Sequence, residues 1–156
     1  MLLTINNKNV LKSDMNQKLK LLYLMQILLE KTDDMHGMTS QELIQELANH
    51  DIHIERKTLY SDLTLLQKFG VDIIKVNRNR TVLYHIGCRD FELAELKIIV
   101  DLIQSSKFLT KKKSDTLIRK IEKQTSIYEA KQLQHQVYIH GRVKSENEMI
   151  YYNVDQ

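Results

Sequence analysis

Two short helical patterns joined by a tight turn, followed at once by a strand–turn–strand pattern with a basic tip, predict a mainly α fold. The specific form expected is a winged helix-turn-helix with a two-stranded wing and a C-terminal helical extension. The two helices read between Thr39 and Gly70, the wing between Asp72 and Ile86, and helical periodicity returns after Gly87.

The elements follow in order. Residues 1–14, rich in Asn and Lys, read as a loose arm. The apolar run Leu21–Leu29 reads as the first helix, apolar nearly all round and so expected at the centre of the core. It starts late for a signal peptide, contains Gln26 and runs straight into Glu30, Lys31 and Thr32. It is also far shorter than the roughly 20 apolar residues a bilayer requires. Thr32 to Met38 reads as a loop. Thr39 then caps a helix, with Glu42 three residues on to close a capping box, and Leu43, Ile44 and Leu47 form its buried face. Asn49, His50 and Asp51 end that pattern, and Ile52 and Ile54 alternate through the turn.

In the next helix Leu59, Leu63 and Leu66 fall at i, i+4 and i+7 and turn inward. Arg56, Lys57, Tyr60, Ser61 and Thr64 then point away. Gly70 supplies the left-handed residue that stops the helix. Val71 to Val76 reads as one strand, Val82 to Ile86 as a second, and Asn77-Arg78-Asn79-Arg80 as the turn between them.

Beyond the wing, Leu93, Leu96, Val100 and Ile103 make one helical stripe, and Ile98, Ile99 and Leu102 widen it. A second helix starts at Thr110 as N-cap and runs through Leu117, Ile118 and Ile121; a third covers Tyr128 to Leu133. The wide apolar surface around Ile98 to Ile103 has two explanations. It pairs with a second copy, making a homodimer suited to a palindromic site, or it packs on the wing or on a further C-terminal module. Lys107 and the run Lys111–Lys113 are either a second phosphate-binding patch or a solvated face. Lysines in a first turn oppose the helix dipole, which favours the solvated face. Val137 to Ile139 reads as a strand, and Glu146 to Asp155 as the start of a helix exposing Ile150, Tyr151 and Tyr152. The expected division is therefore an arm over 1–14, a winged domain over 15–88, a helical connector over 89–134 and a tail over 135–156.

Composition narrows the class. The chain has 156 residues, 42% hydrophobic and 28% charged, which suits a soluble domain with an appendage. Its single cysteine, Cys88, excludes an internal disulfide and suits a reducing cytosol, so a cytoplasmic protein with no membrane association is expected. Cys88 itself reads as a small packing residue. The net charge of +3 is mild, but between Glu55 and Asp90 seven bases face four acids, which places the whole excess on the helix and wing. The six histidines lack Cys or carboxylate partners at metal-ligand spacing. The four glycines are scattered and form no phosphate loop, and no serine sits in a nucleophile elbow. No catalytic residue, metal, cofactor or small-molecule site is expected, and the chain does not read as an enzyme.

A helix that meets the major groove with its N-terminal residues would use Arg56, Lys57, Thr58, Tyr60 and Ser61 on base edges and phosphates of double-stranded DNA. Lys75, Arg78 and Arg80 would place the wing on the backbone or in the minor groove.

At Glu55–Leu63, with Lys18–Met25 before it, the chain resembles the DNA-binding front end of bacterial WYL-domain transcriptional regulators. Glu95–Asp101, Gln104–Ser114 and Asn147–Asp155 extend the likeness over roughly residues 16–155. The resemblance implies sequence-specific DNA binding and transcriptional regulation. In that family a helical connector leads to a β-rich WYL module thought to sense a ligand, and here the chain stops where that module would begin. Either the chain is part of a longer product, or it is a short relative that binds DNA without its own sensor. Two positions depart from the family. Glu55 stands where relatives often carry a capping Ser, and Ser61 where many carry a basic residue after the Tyr. Those departures leave a second class of function open: a winged-helix protein–protein interaction module that does not bind DNA.

Overall fold

The structure, a computed structural model, describes residues 19–136. The expected arm over 1–14, the strand at Val137–Ile139 and the apolar group Ile150, Tyr151 and Tyr152 lie outside the described residues. The chain divides between Cys88 and Arg89 into two compact units.

In the first unit, α1 (residues 19–31) buries Leu24, Ile27 and Leu28, an i, i+3, i+4 face. It is not buried all round, because Leu22 is 58% and Leu29 37% exposed. The neighbouring elements cover one side of the helix, and leucines in the other phase stay outside. Its end is tied to the wing by Thr32, whose hydroxyl donates to Leu28 O (2.6 Å) and accepts from Ile86 N (3.1 Å). Met38 then exchanges backbone hydrogen bonds with Tyr84 in both directions. The chain passes so close here that a Cβ on Gly37 would lie 2.8 Å from Leu83 Cβ.

Helix α2 (Ser40–Ala48) begins at the expected capping box: Glu42 N donates to Thr39 Oγ1, and Thr39 N to Glu42 Oε2. Leu43 and Leu47 are fully buried, Ile44 half-buried. Asp51 takes a left-handed conformation (φ 60°), which brings Ile52 N back to Leu47 O and buries Ile52 completely. Helix α3 (Arg56–Phe69) packs on α2 through Leu59, Leu63 and Leu66, and Gly70 ends it at φ 113°.

The wing is an antiparallel pair, β1 (Ile73–Arg78) and β2 (Thr81–Ile86), in register from Ile73↔Ile86 to Arg78↔Thr81. The four-residue turn expected at Asn77–Arg80 is tighter. Asn77 and Arg78 belong to β1, and only Asn79 and Arg80 form the loop, both with positive φ (50° and 65°). That is the conformation whose twist matches a two-residue hairpin. One core joins α1, α2, α3 and the base of the wing, centred on Leu24, Leu28, Leu43, Leu47, Ile52 and Leu59.

The second unit packs α4 (Leu93–Ser105), α5 (Lys111–Glu122) and α6 (Ile127–Gln136) around Leu96, Val100, Ile118 and Leu133. Leu93, Ile99, Ile103 and Ile121 line the margin of that core. Thr110 caps α5 by accepting from Lys113 N, and Ser126 caps α6 by accepting from Glu129 N. The last helix runs beyond the expected Tyr128–Leu133 at both ends. Ile98 and Leu102, one turn apart, remain 60% and 64% exposed. Among the described residues no helix is long and apolar enough to cross a membrane.

Candidate nucleic-acid interface

The outward face of α3 begins at Glu55, the N-cap, whose side chain makes no capping hydrogen bond. Arg56 and Lys57 follow in the first turn, both exposed, with no acidic residue in that turn. Two cations at the positive end of a helix dipole are mildly unfavourable for folding, so the helix does not gain stability from them. Thr58 departs from expectation in being half-buried, next to Leu59 in the core. Tyr60, Ser61 and Thr64 are exposed, and the Thr64 hydroxyl donates to Tyr60 O at 2.9 Å. The outward ridge is not polar throughout: Leu65 is 48% and Phe69 80% exposed.

The inward face holds one surprise. Asp62, counted from the sequence among the acids of the reading surface, is buried, with Oδ2 2.8 Å from Lys20 Nζ on α1. The two meet at ion-pair distance without hydrogen-bond geometry at Oδ2. Its position at i+3 from Leu59 and i−4 from Leu66 is the phase of the buried stripe, a signal that its charge obscured.

The wing carries Lys75, Arg78 and Arg80, all exposed. Lys75 stands opposite Tyr84 in the register. Between α3 and the wing lies a cleft of about 210 Å³, walled by Tyr60, Thr64 and Gln67 on the helix and by Ile73, Lys75 and Tyr84 on the strands. Gln67 holds its width by donating from Nε2 to Ile73 O at 2.8 Å. Burial, with the Tyr60 phenol as a lesser cause, pushes the Tyr84 hydroxyl above its usual range. Of the expected site residues, Tyr60 and Lys75 are therefore brought to one cleft. Arg56 and Lys57 sit at the start of α3, and Arg78 and Arg80 at the far end of the hairpin. Thr64 is outward-facing as expected, whereas Gln67 and Tyr84 are not among the expected site residues; a two-residue loop at Asn79 and Arg80 places Tyr84 across from Lys75.

Charge is segregated in this unit. Its described residues carry eight Lys and Arg side chains. Two of them, Lys20 and Lys31, are engaged by Asp62 and Glu46. The other six, Arg56, Lys57, Lys68, Lys75, Arg78 and Arg80, all lie on α3 or the hairpin, exposed and without an ion-pair partner among the described residues. Only Glu55 and Asp72 are exposed acids between residues 55 and 86. Arg89 and Asp90, included in the sequence count, belong to the second unit. Cys88, expected as a packing residue, is exposed, because the chain leaves the core at Ile86.

In the second unit Lys107, Lys111 and Lys112 are exposed and Lys113 is half-buried at the start of α5. Compared with protein-family models, with curated proteins and with solved structures, the chain finds no match in any of the three.

Proposed function

We propose that this chain is a cytoplasmic, sequence-specific DNA-binding transcriptional regulator, akin to the winged front ends of bacterial WYL regulators. The observation that carries the reading is the segregation of six unengaged cations onto α3 and the hairpin, against two exposed acids. A cationic face formed by a helix and a hairpin is complementary to a duplex, whose phosphates supply the sequence-independent, salt-dependent part of the affinity. In this reading Arg56 and Lys57 enter the major groove with Ser61, and Arg78 and Arg80 hold the backbone. If all six cations engage phosphates, log K falls against log salt with a slope of roughly −5.

Leu65 and Phe69 favour a second reading, in which the same helix docks on another protein. Fluorescence anisotropy with a random-sequence duplex across a salt series separates the two. DNA binding requires affinity that falls steeply with salt and is weakened in an Arg56→Ala/Arg80→Ala double mutant. A folded protein that binds no duplex even at low salt would leave the interaction module as the better reading.

A further inference from the structure

We propose that the cleft between α3 and β1 seats one backbone phosphodiester of duplex DNA, held by Lys75 Nζ and the Tyr60 hydroxyl. The proposal rests on the DNA-binding reading and moves Tyr60 from the base-reading set to the backbone. Four observations support it.

The cleft has the Lys75 cation and the Tyr84 phenol on its strand wall and the Tyr60 phenol on its helix wall, at about 210 Å³ against the roughly 30 Å³ that one water occupies. It has room for a phosphodiester with bridging water. Among its polar groups, Thr64 and Gln67 are already committed: Thr64 Oγ1 donates to Tyr60 O and Gln67 Nε2 to Ile73 O. They shape the walls, and the Tyr84 phenol belongs to a buried residue, which leaves Lys75 and Tyr60 as the exposed polar groups a ligand would meet first. Both are exposed and neither has an ion-pair partner among the described residues. The Tyr84 phenol, buried and pushed up above its ordinary range, stays a neutral hydroxyl beside them and adds no negative charge against an anion. Finally, the walls are tied together by hydrogen bonds. The register sets Lys75 against Tyr84, the Gln67 bond fixes α3 to β1, and Met38 clamps Tyr84 through both backbone groups. A preset gap suits a repeating group of fixed geometry such as the backbone phosphate.

The two side chains predict different signatures, since Lys75 carries charge and Tyr60 only a hydrogen bond. A duplex selected by this protein from a random library is the probe, with binding read by anisotropy. Lys75→Gln is expected to weaken binding about tenfold and to flatten the salt slope by about 0.9. Tyr60→Phe is expected to weaken it by about tenfold at most, equally on selected and random duplexes, with the slope unchanged. Neutral methylphosphonate groups placed singly along the selected duplex should reveal one position that weakens the wild type but not the Lys75→Gln/Tyr60→Phe double mutant. If Arg56→Ala weakens binding while both single variants bind as the wild type does, DNA binding stands and the cleft assignment falls. A Tyr60→Phe loss confined to the selected sequence would likewise overturn it, by returning Tyr60 to base reading. If the wild type binds no duplex at any salt, the DNA reading fails and takes this one with it.

Discussion

Helices α3 and α4 are nearly equal in length, 14 and 13 residues, and each buries a leucine-led stripe in the core of its own unit. They differ on the opposite face. That of α3 begins with Arg56, Lys57, Tyr60, Ser61 and Thr64 and turns apolar only at Leu65 and Phe69. That of α4 exposes Ile98 and Leu102 in its middle. An exposed cation specifies the chemistry of what it meets, because its partner must carry negative charge. An exposed aliphatic pair specifies only that water is displaced. The first unit therefore supports a reading of its ligand, and the second does not yet support one.

The comparison breaks most easily at the buried faces. Leu59→Ala and Leu96→Ala should each destabilise by about 2–5 kcal/mol in urea unfolding. Leu65→Ala and Leu102→Ala, on the opposite faces, should stay within about 0.5 kcal/mol. A large loss at Leu102 would mean that its face is covered in solution, and a concentration-dependent midpoint would identify a second copy as the cover.

The outward face of α3 is tested next. Arg56→Ala should lose about 1–3 kcal/mol of binding on a selected duplex if its guanidinium reads a base. Equal losses on selected and random DNA would confine Arg56 to phosphate.

At the wing tip, charge and conformation can be separated. Arg80 sits at φ 65°, where a non-glycine residue costs roughly 1–2 kcal/mol. Arg80→Ala and Arg80→Gly should flatten the salt slope alike, by about 0.9. Only the glycine variant should raise the unfolding midpoint. Unchanged slopes in both would remove the wing tip from the interface.

The smallest effect concerns an ion pair between α1 and α2. The Lys31 ammonium, chiefly through its hydrogen bond, holds the Glu46 carboxyl below the usual carboxylate range. A lowered folded-state pKa contributes stability above the unfolded value and loses it as pH falls through the folded one. Lys31→Gln should therefore cost about 0.2–1 kcal/mol near neutral pH. The difference from the wild type should vanish at the acid end of a pH series of unfolding midpoints. A gap that persists there would assign the loss to packing of the lysine stem.

Local features were legible in advance for a common reason. The capping box of Thr39 and Glu42, the stripe Leu59–Leu63–Leu66, the stop at Gly70 and the cap at Thr110 each depend on residues within one or two turns of each other. Asp62 was misplaced because its partner, Lys20, lies 42 residues earlier, and a charged residue in the phase of a buried stripe resembles a surface residue until that partner is found. The wing loop is shorter than the sequence suggests because Asn79-Arg80 lacks the glycine that normally marks the second position of such a turn. The shorter loop is what sets Lys75 opposite Tyr84 and so forms the strand wall of the cleft.

The amino-acid sequence by itself determined where the helices and strands of the winged unit fall and which leucines face inward, since apolar spacing and capping act over a few residues. It also placed six cations on one helix and hairpin. Only the tertiary structure decided that Lys20 and Lys31 are engaged elsewhere, that Asp62 turns to the core rather than to the outward face of α3, and that Tyr60 and Lys75 wall one cleft. Each of those outcomes joins groups distant in the chain, and only packing of the helices and the hairpin register brings such groups within reach.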